Sequence, residues 1–475
     1  MTAEPLRVAE PSEQFSRTLE PRHILMIGLG GAMGVGLFLG SAQGIHLAGP
    51  AIMLAYAIAG LMIYIVVRAL GELLLYRPIS GSFTVYAAEF IGPCAGFLTG
   101  WSYWLQWVLV GIAEITAIGI YCRYWFPALP QWIPALGTLL VLYLASLRPV
   151  RLYGEIQFWV STLKVVAVTS LILLGVWVLL CGSRHVRDAA VSNLWTHGGF
   201  FPTGTRLFVL AFPVATFAFG GIELIGVTAG EAESPEESIP RAIGATFHRM
   251  FFLYLGVFLV ILCLIPWNSL DRSSSPFVAV FSKLQMPIAA RGMTLVVICA
   301  AAAACSSGIF SSGRMLYALA LAGQSPRVLA RLSSERVPAN GIHLSVAAML
   351  LGVVLNGLIP ERIFGYVIDT VLVTQLWTWS MILIAHLQFR RAVAKGWRSL
   401  GSFRLPLSPF SNWLVLGYIG TITVVLCTDP ATAIVRYLIP IWFGGLLIAY
   451  ALTRSAARAG AEKTCLARND IQDRR

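Results

Sequence analysis

Long apolar runs, broken at intervals by charged or Pro/Gly-rich punctuation, dominate the chain. Each run has the length of a membrane crossing, since about 20 apolar residues span the hydrocarbon core. Twelve crossings are predicted: 24–46, 50–74, 93–122, 131–147, 157–181, 206–230, 243–266, 289–319, 341–359, 363–389, 411–427 and 432–453. The segment 275–288 (SPFVAVFSKLQMPI) is too short and too mixed to cross, and reads as an interfacial or re-entrant helix. A polar tail over 1–20 precedes a membrane-embedded body over 21–455, and a second tail covers 456–475. Nothing in the first twenty residues resembles the apolar core of a cleaved signal peptide.

Composition agrees with the bilayer as solvent. Of 475 residues, 57% are hydrophobic and 12% charged, where a soluble domain is nearer half apolar and a quarter charged. The net charge of +12 would suit nucleic acid if it were clustered, but its placement follows the membrane instead. With the N-terminus in the cytoplasm, cytoplasmic segments and adjoining span ends hold 24 of the 34 Lys and Arg. External ones hold 9, and Lys164 lies inside a span. Both termini are therefore expected in the cytoplasm, with the positive charge facing anionic lipid rather than nucleic acid. The eight cysteines are scattered through apolar runs without zinc-ligand or CxxC spacing, so no metal site, cofactor or disulfide scaffold is expected. Neither GxSxG nor HExxH occurs, and the seven histidines are dispersed, which argues against an enzyme. Tails of about 20 residues are too short for a signalling sensor.

Two crossings carry a pattern that a continuous helix would not tolerate. The first has six glycines within 28–40 (Gly28, Gly30, Gly31, Gly34, Gly36 and Gly40), each costing up to about 1 kcal/mol relative to alanine in a helix. The sixth has Gly220-Gly221 followed by Glu223. Close packing through small residues accounts for one or two glycines, but poorly for six. Unwound backbone at membrane depth survives only where it lines a cavity or binds something. Spans 1 and 6 are five apart, so equivalent helices would cross in opposite directions, as in an inverted repeat. A half-helix N-terminus offers amides to an anion and a half-helix C-terminus offers carbonyls to a cation. Side by side they form a receptor for a zwitterion. The carboxylate is expected on the amides of Gly34, Val35 and Gly36. The ammonium is expected on carbonyls near Ala32, Phe217 and Gly220. The candidate binding set is Ala32, Met33, Gly34, Val35, Gly36, Phe217, Ala218, Phe219, Gly220 and Gly221, with Phe217 and Phe219 as gates. No acidic cluster awaits a cationic side chain, which favours a neutral substrate.

Motifs along almost the whole chain add a resemblance. They include RHILMIGLGGAMGVGLFLGSAQGI from 22, RALGELLLYRPISGSF from 68, AGFLTGWSYWLQW from 95, FWVSTLKVVAV from 158, FAFGGIELIGVTAGEAESPEESIPRAI from 217 and IFSSGRMLYALALAGQSP from 309. The chain resembles the bacterial amino acid transporter family of the amino acid–polyamine–organocation superfamily. VGIAEITAIGIYCRYWFP from 110, SNLWTHGGFFPTG from 192 and LLGVVLNGLIPERIF from 350 look most like the proline-specific permeases. Histidine and D-serine/D-alanine/glycine permeases are similar over the same stretches. The resemblance implies an all-α integral membrane fold of the 5+5 inverted-repeat (LeuT-type) kind, with helices 1 and 6 discontinuous, spans 1–5 and 6–10 as the repeats, and spans 11 and 12 peripheral. It implies proton-driven uptake across the inner membrane by a monomer or weak dimer, with an amino acid exchanger as the alternative on the same fold.

Charges at span depth are expensive and mark function. Glu114 in span 3 has no basic partner on its own helix at i−4 or i+3. It is read either as a proton carrier or amine receptor, or as a hydrogen-bond partner of a broken-helix backbone. Lys164 in span 5 falls, by resemblance, where sodium-coupled relatives hold a cation, and could bind carbonyls of span 1; alternatively it snorkels to the cytoplasmic end. Glu223 follows the second break and either caps unwound amides or moves protons. Arg68 and Glu72, at i and i+4, are expected to pair near the cytoplasmic surface.

Overall fold

The computed structural model describes residues 19–79, 81–182, 189–271, 275–359, 363–396, 401 and 403–472, with side chains through Arg454. Residues 1–18 of the expected N-terminal tail, and the side chains of the expected C-terminal tail, lie outside the described residues.

The described residues form helices in the order α1 (Pro21–Ala32), α2 (Val35–Phe38), α3 (Gly40–Ala48), α4 (Ile52–Tyr76), α5 (Ser82–Phe90), α6 (Pro93–Cys122), α7 (Trp132–Ser146), α8 (Val150–Cys181), α9 (Asn193–Thr196), α10 (Gly204–Leu210), α11 (Phe212–Phe217), α12 (Leu224–Thr228), α13 (Pro235–Leu264), α14 (Pro276–Lys283), α15 (Pro287–Leu321), α16 (Ala339–Leu358), α17 (Ile363–Ala394), α18 (Phe410–Thr428) and α19 (Val435–Gln472). Proline opens α1, α6, α13, α14 and α15, the one helical turn where its missing N–H costs nothing. Among the described residues no strand occurs. The one extended contact is a bridge between Leu19 and Ala232.

Among the described residues, nine helical stretches are long and apolar enough to cross a membrane: α3–α4 taken together, α6, α8, α13, α15, α16, α17, α18 and residues 430–454, which run into α19. They correspond to expected crossings 2, 3, 5 and 7–12. The segment expected to lie at the interface forms the short helix α14. Expected crossing 4 falls on the 15-residue α7. Expected crossing 1 falls on the short helices α1, α2 and α3, the last running on into α4, and expected crossing 6 on α10, α11 and α12. Several helices overrun their expected limits: α8 begins at Val150 rather than 157, α13 at Pro235 rather than 243, and α17 reaches Ala394 rather than 389. The added turns carry Arg151, Glu155, Glu236, Glu237, Arg241 and Arg391. Such turns leave the hydrocarbon, so apolarity reads the crossing but not the helix.

α6 and α15 are the central pillars, 72% of the apolar window of each being buried, whereas 11% of the 430–454 stretch is. α6 packs along both α15 and α17, and α1 is wedged between α8, α13 and α15. The outer faces of α8 and α16 expose Trp159, Leu180 and Leu358, apolar surface that water would not tolerate.

Glu72 corrects one expectation. It faces α17 rather than Arg68, bonding Arg390 at 2.7 Å and His386 at 3.2 Å and accepting from the Leu405 amide at 2.7 Å. Arg68 donates instead to the Arg404 carbonyl at 2.6 Å and lies over the Phe403 ring. The buried carboxylate finds more donors on α17 than its solvent-side helix neighbour could offer.

Candidate functional site

α1 ends at Ala32. Met33 (φ −82°, ψ 63°) and Gly34 (φ −105°, ψ −153°) leave the helix, and α2 restarts at Val35. The first amides of a helix have no internal acceptor. Val35 N–H donates to both carboxylate oxygens of Glu114, at 3.0 and 3.2 Å. Gly34 is required here: a Cβ would lie 2.2 Å from Glu114 Oε1. At Gly36 a Cβ would lie 2.8 Å from the Phe217 ring.

The second break follows α11. The Gly220 amide donates back to Phe217 O at 2.9 Å, and the chain turns through Gly221 at φ +98°. That backbone region favours glycine. A Cβ on Gly221 would also lie 2.7 Å from the carbonyl carbon and oxygen of Gly31. The two breaks thus cross backbone against backbone. Glu223 accepts from the Gly221 amide at 3.0 Å, Gln106 Nε2 at 3.1 Å and Trp379 Nε1 at 3.4 Å. Tyr254, from α13, extends its hydroxyl to Ala218 O at 3.0 Å and Ala32 O at 3.4 Å.

Between the breaks lies a cavity of about 20 Å³, room for little more than one water. Of the candidate binding residues, Ala32, Gly34, Gly36, Phe217, Gly220 and Gly221 line it, with Glu114 beside them. Met33, Val35, Ala218 and Phe219 do not face it with their side chains. Phe219 turns away to pack against Tyr254, at 5.0 Å between centroids, and Tyr56, at 6.0 Å. Only one of the two expected gates therefore stands at the cavity. Glu223 lies behind the wall, bonded to an unwound amide as one of its two readings required. Lys164 is fully buried and donates to Gly30 O at 2.8 Å. It does not snorkel; it holds the last turn of α1. Glu114 and Lys164 interact electrostatically across α1.

The cavity also has walls outside the candidate binding set: Gln106, Trp107 and Val110 from α6 and Gln375 from α17. Gln106, Val110 and Glu114 recur every fourth residue, so they share a helix face, a signal present in the sequence. Gln375 has no comparable signal.

A broken-helix pair enclosing a small polar cavity in an apolar bundle is the architecture of a carrier, and relatives agree. The amino acid permease family model matches residues 23–461. This chain belongs to the amino acid permease family. The permease is 41% identical to the amino-acid permease AapA of Bacillus subtilis, over 92% of this chain and 95% of the relative. It is 40% identical to the aromatic amino acid transport protein AroP of Escherichia coli K12, over 94% and 97%. It is 39% identical to the probable threonine/serine transporter YbxG of Bacillus subtilis, over 95% and 98%. The permease is thus an integral membrane transporter and not an enzyme.

Proposed function

We propose that the permease is a proton-coupled symporter that takes up a neutral amino acid, with proline favoured. The fold proposed with it has twelve crossings, spans 1–5 and 6–10 as inverted repeats, and both termini in the cytoplasm beneath the inner membrane. The observation that supports the reading is the Val35 amide of the first break, which already receives a carboxylate, that of Glu114. An amide that pairs with a buried side-chain carboxylate is suited to the carboxylate of a substrate. Glu114, Lys164 and Glu223 are the candidate proton carriers, and Glu114 sits where proton and substrate meet. Loss of its charge on protonation weakens its hold on the Val35 amide, because charged hydrogen bonds are roughly twice as strong as neutral ones. Proton binding would then precede substrate binding.

A cavity of this size is closed. A substrate enters only when the halves of spans 1 and 6 part, and closure afterwards excludes water. The wall of Trp107, Val110 and Phe217 is apolar, its glutamines Gln106 and Gln375 are uncharged, and the carboxylate of Glu114 is engaged by the Val35 amide, which favours a neutral side chain. A second reading, an aromatic substrate, is favoured by the same two rings and by the relative named for aromatic amino acids. Proteoliposome uptake of labelled proline, phenylalanine and threonine under an imposed pH gradient separates the readings. Accumulation of proline that collapses with the gradient is the expected result. Uptake of none of them, or uptake indifferent to the gradient, overturns the symporter proposal.

A further inference from the structure

We infer that Gln375 is a substrate-recognition residue: its side-chain oxygen accepts a hydrogen bond from the amino group of the transported molecule. The inference rests on the reading of the cavity as the amino acid site.

Four observations carry it. Gln375 is 1% exposed, yet it lines the cavity. Its Nε2 donates to Thr216 O at 3.2 Å; the flipped rotamer would set two oxygens against each other, so Oε1 is fixed on the other side. No described group donates to Oε1. A Cβ on Gly220 would lie 2.5 Å from Oε1, which places that oxygen at the bend of the second break, where the ammonium was expected. Lastly, two of the three carbonyls first assigned to the ammonium already accept hydrogen bonds. Phe217 O accepts from Gly220 N, and Ala32 O accepts from Gly34 N at 3.0 Å and from Tyr254. An acceptor held in place at the cavity wall, with no protein donor, is open to a donor from a bound molecule. A primary ammonium or the secondary amine of proline brings that donor.

The surroundings hold the residue in position. α17 presents Gln375, Thr378 and Trp379 within one turn. Thr378 donates to Gln106 Oε1 at 3.4 Å, and Glu223 accepts from both Gln106 and Trp379. Glu223 is thus a positioning residue for Gln106, and it ties α6 to the α17 turn that carries Gln375.

The test is a binding cycle on the purified full-length protein. Affinities of proline, phenylalanine and threonine, and of their N-acetyl derivatives, are measured by thermal shift and isothermal titration for wild type and Gln375→Leu. N-acetylation removes the charged amine and keeps the carboxylate and side chain. Wild type is expected to bind the best free amino acid at least tenfold more tightly than its derivative, a difference of about 1.4 kcal/mol. In Gln375→Leu the free amino acid weakens about tenfold, the derivative hardly changes, and the ratio between them collapses. If both ligands weaken by the same factor, Gln375 contributes only to packing and the inference falls. A loss confined to ligands with one kind of side chain overturns it as well, since the residue would then face the side chain. Should Gln375→Leu fail to purify as a monodisperse protein, Gln375→Asn, which withdraws the amide by one methylene, is put through the same cycle. Failure of wild type to bind any of the three would instead remove the amino acid site itself.

Discussion

The ion pair between Arg314 and Glu231 gives the most quantitative test of how the bundle is held. Arg314 is on α15, and Glu231 follows α12, the helix just past the second break. Arg314 Nε bonds Glu231 Oε1 while Nη2 donates to Oε2 at 3.1 Å, and the side chains are 4% and 1% exposed. The guanidinium also lies over the Phe310 ring at 3.4 Å. Glu231 is fixed through its backbone too, its carbonyl accepting from Leu19 N at 3.1 Å. Replacing Arg314 with methionine strands a carboxylate that cannot move to water. Removing one partner of such a buried pair costs about 3–5 kcal/mol, a large share of the roughly 5–15 kcal/mol that stabilises a typical protein. Replacing both charges with apolar groups of similar volume is close to neutral by the same reasoning. The assay is fluorescence-detected thermal denaturation of detergent-solubilised Arg314→Met, Glu231→Leu and the double variant. Large drops for the singles and substantial recovery in the double are expected. A single loss below about 0.5 kcal/mol, the size of a surface change, would refute the reasoning, as would losses that simply add in the double. The pair ties α15 to the chain just past the second break, which the proposed orientation puts on the cytoplasmic side, so the singles should also shift the carrier toward its inward-open form, read as faster labelling of a cysteine placed at Ser311.

Other outcomes are expected. Gly36→Leu drives a side chain into the space held by Phe217 and should abolish amino acid binding; wild-type affinity in titration calorimetry would remove the carboxylate from this break. Glu114→Gln should lose accumulation driven by a pH gradient while keeping exchange of internal for external amino acid; a normal pH dependence of uptake would exclude Glu114 as the coupling group. Phe217→Ala and Phe219→Ala should part company: the first weakens substrate retention with little change in melting temperature, and the second, deep among Tyr56 and Tyr254, costs about 3–5 kcal/mol and should lower the melting temperature sharply. The reverse pattern would show that Phe219, not Phe217, closes the site.

Apolar run length located nine of the twelve expected crossings among the described residues, because burial in hydrocarbon demands it over about twenty consecutive residues. Gly34 and Gly220–Gly221 mark the two breaks, where Glu114, Gln375 and Gly31 leave no room for a side chain, whereas Gly28, Gly30 and Gly31 lie inside α1 and admit Ile225, Ser161 and Leu224. Lys164 and Glu114 stood out because a charge in a bilayer is expensive whatever surrounds it. What escaped notice was mostly relational. Gln375 and Tyr254 are ordinary polar residues in apolar helices, and only the packing of α17 and α13 against the breaks gives them a role. Phe217 and Phe219 are two residues apart at a turn, and whether each ring faces the cavity or the core depends on the bend at Gly220, which composition does not encode. Glu72 chose Arg390 over Arg68 because α17 lies against α4, a contact 318 residues away in sequence.

The hydroxyl of Tyr254 has a mechanical consequence. It reaches both Ala32, where α1 stops, and Ala218, where α11 stops, and beside it Gly31 and Gly221 touch without a side chain between them. In the antiparallel crossings proposed above, these two arms would point to opposite faces of the membrane from one shared pivot. Linked there, they would move as a single rocker, with the arm on one face swinging outward as the arm on the other swings inward. Two doors hung on one rocker would not stand open together, so in the proposed cycle the joint itself, and not the timing of two separate locks, would keep the permease from becoming a pore.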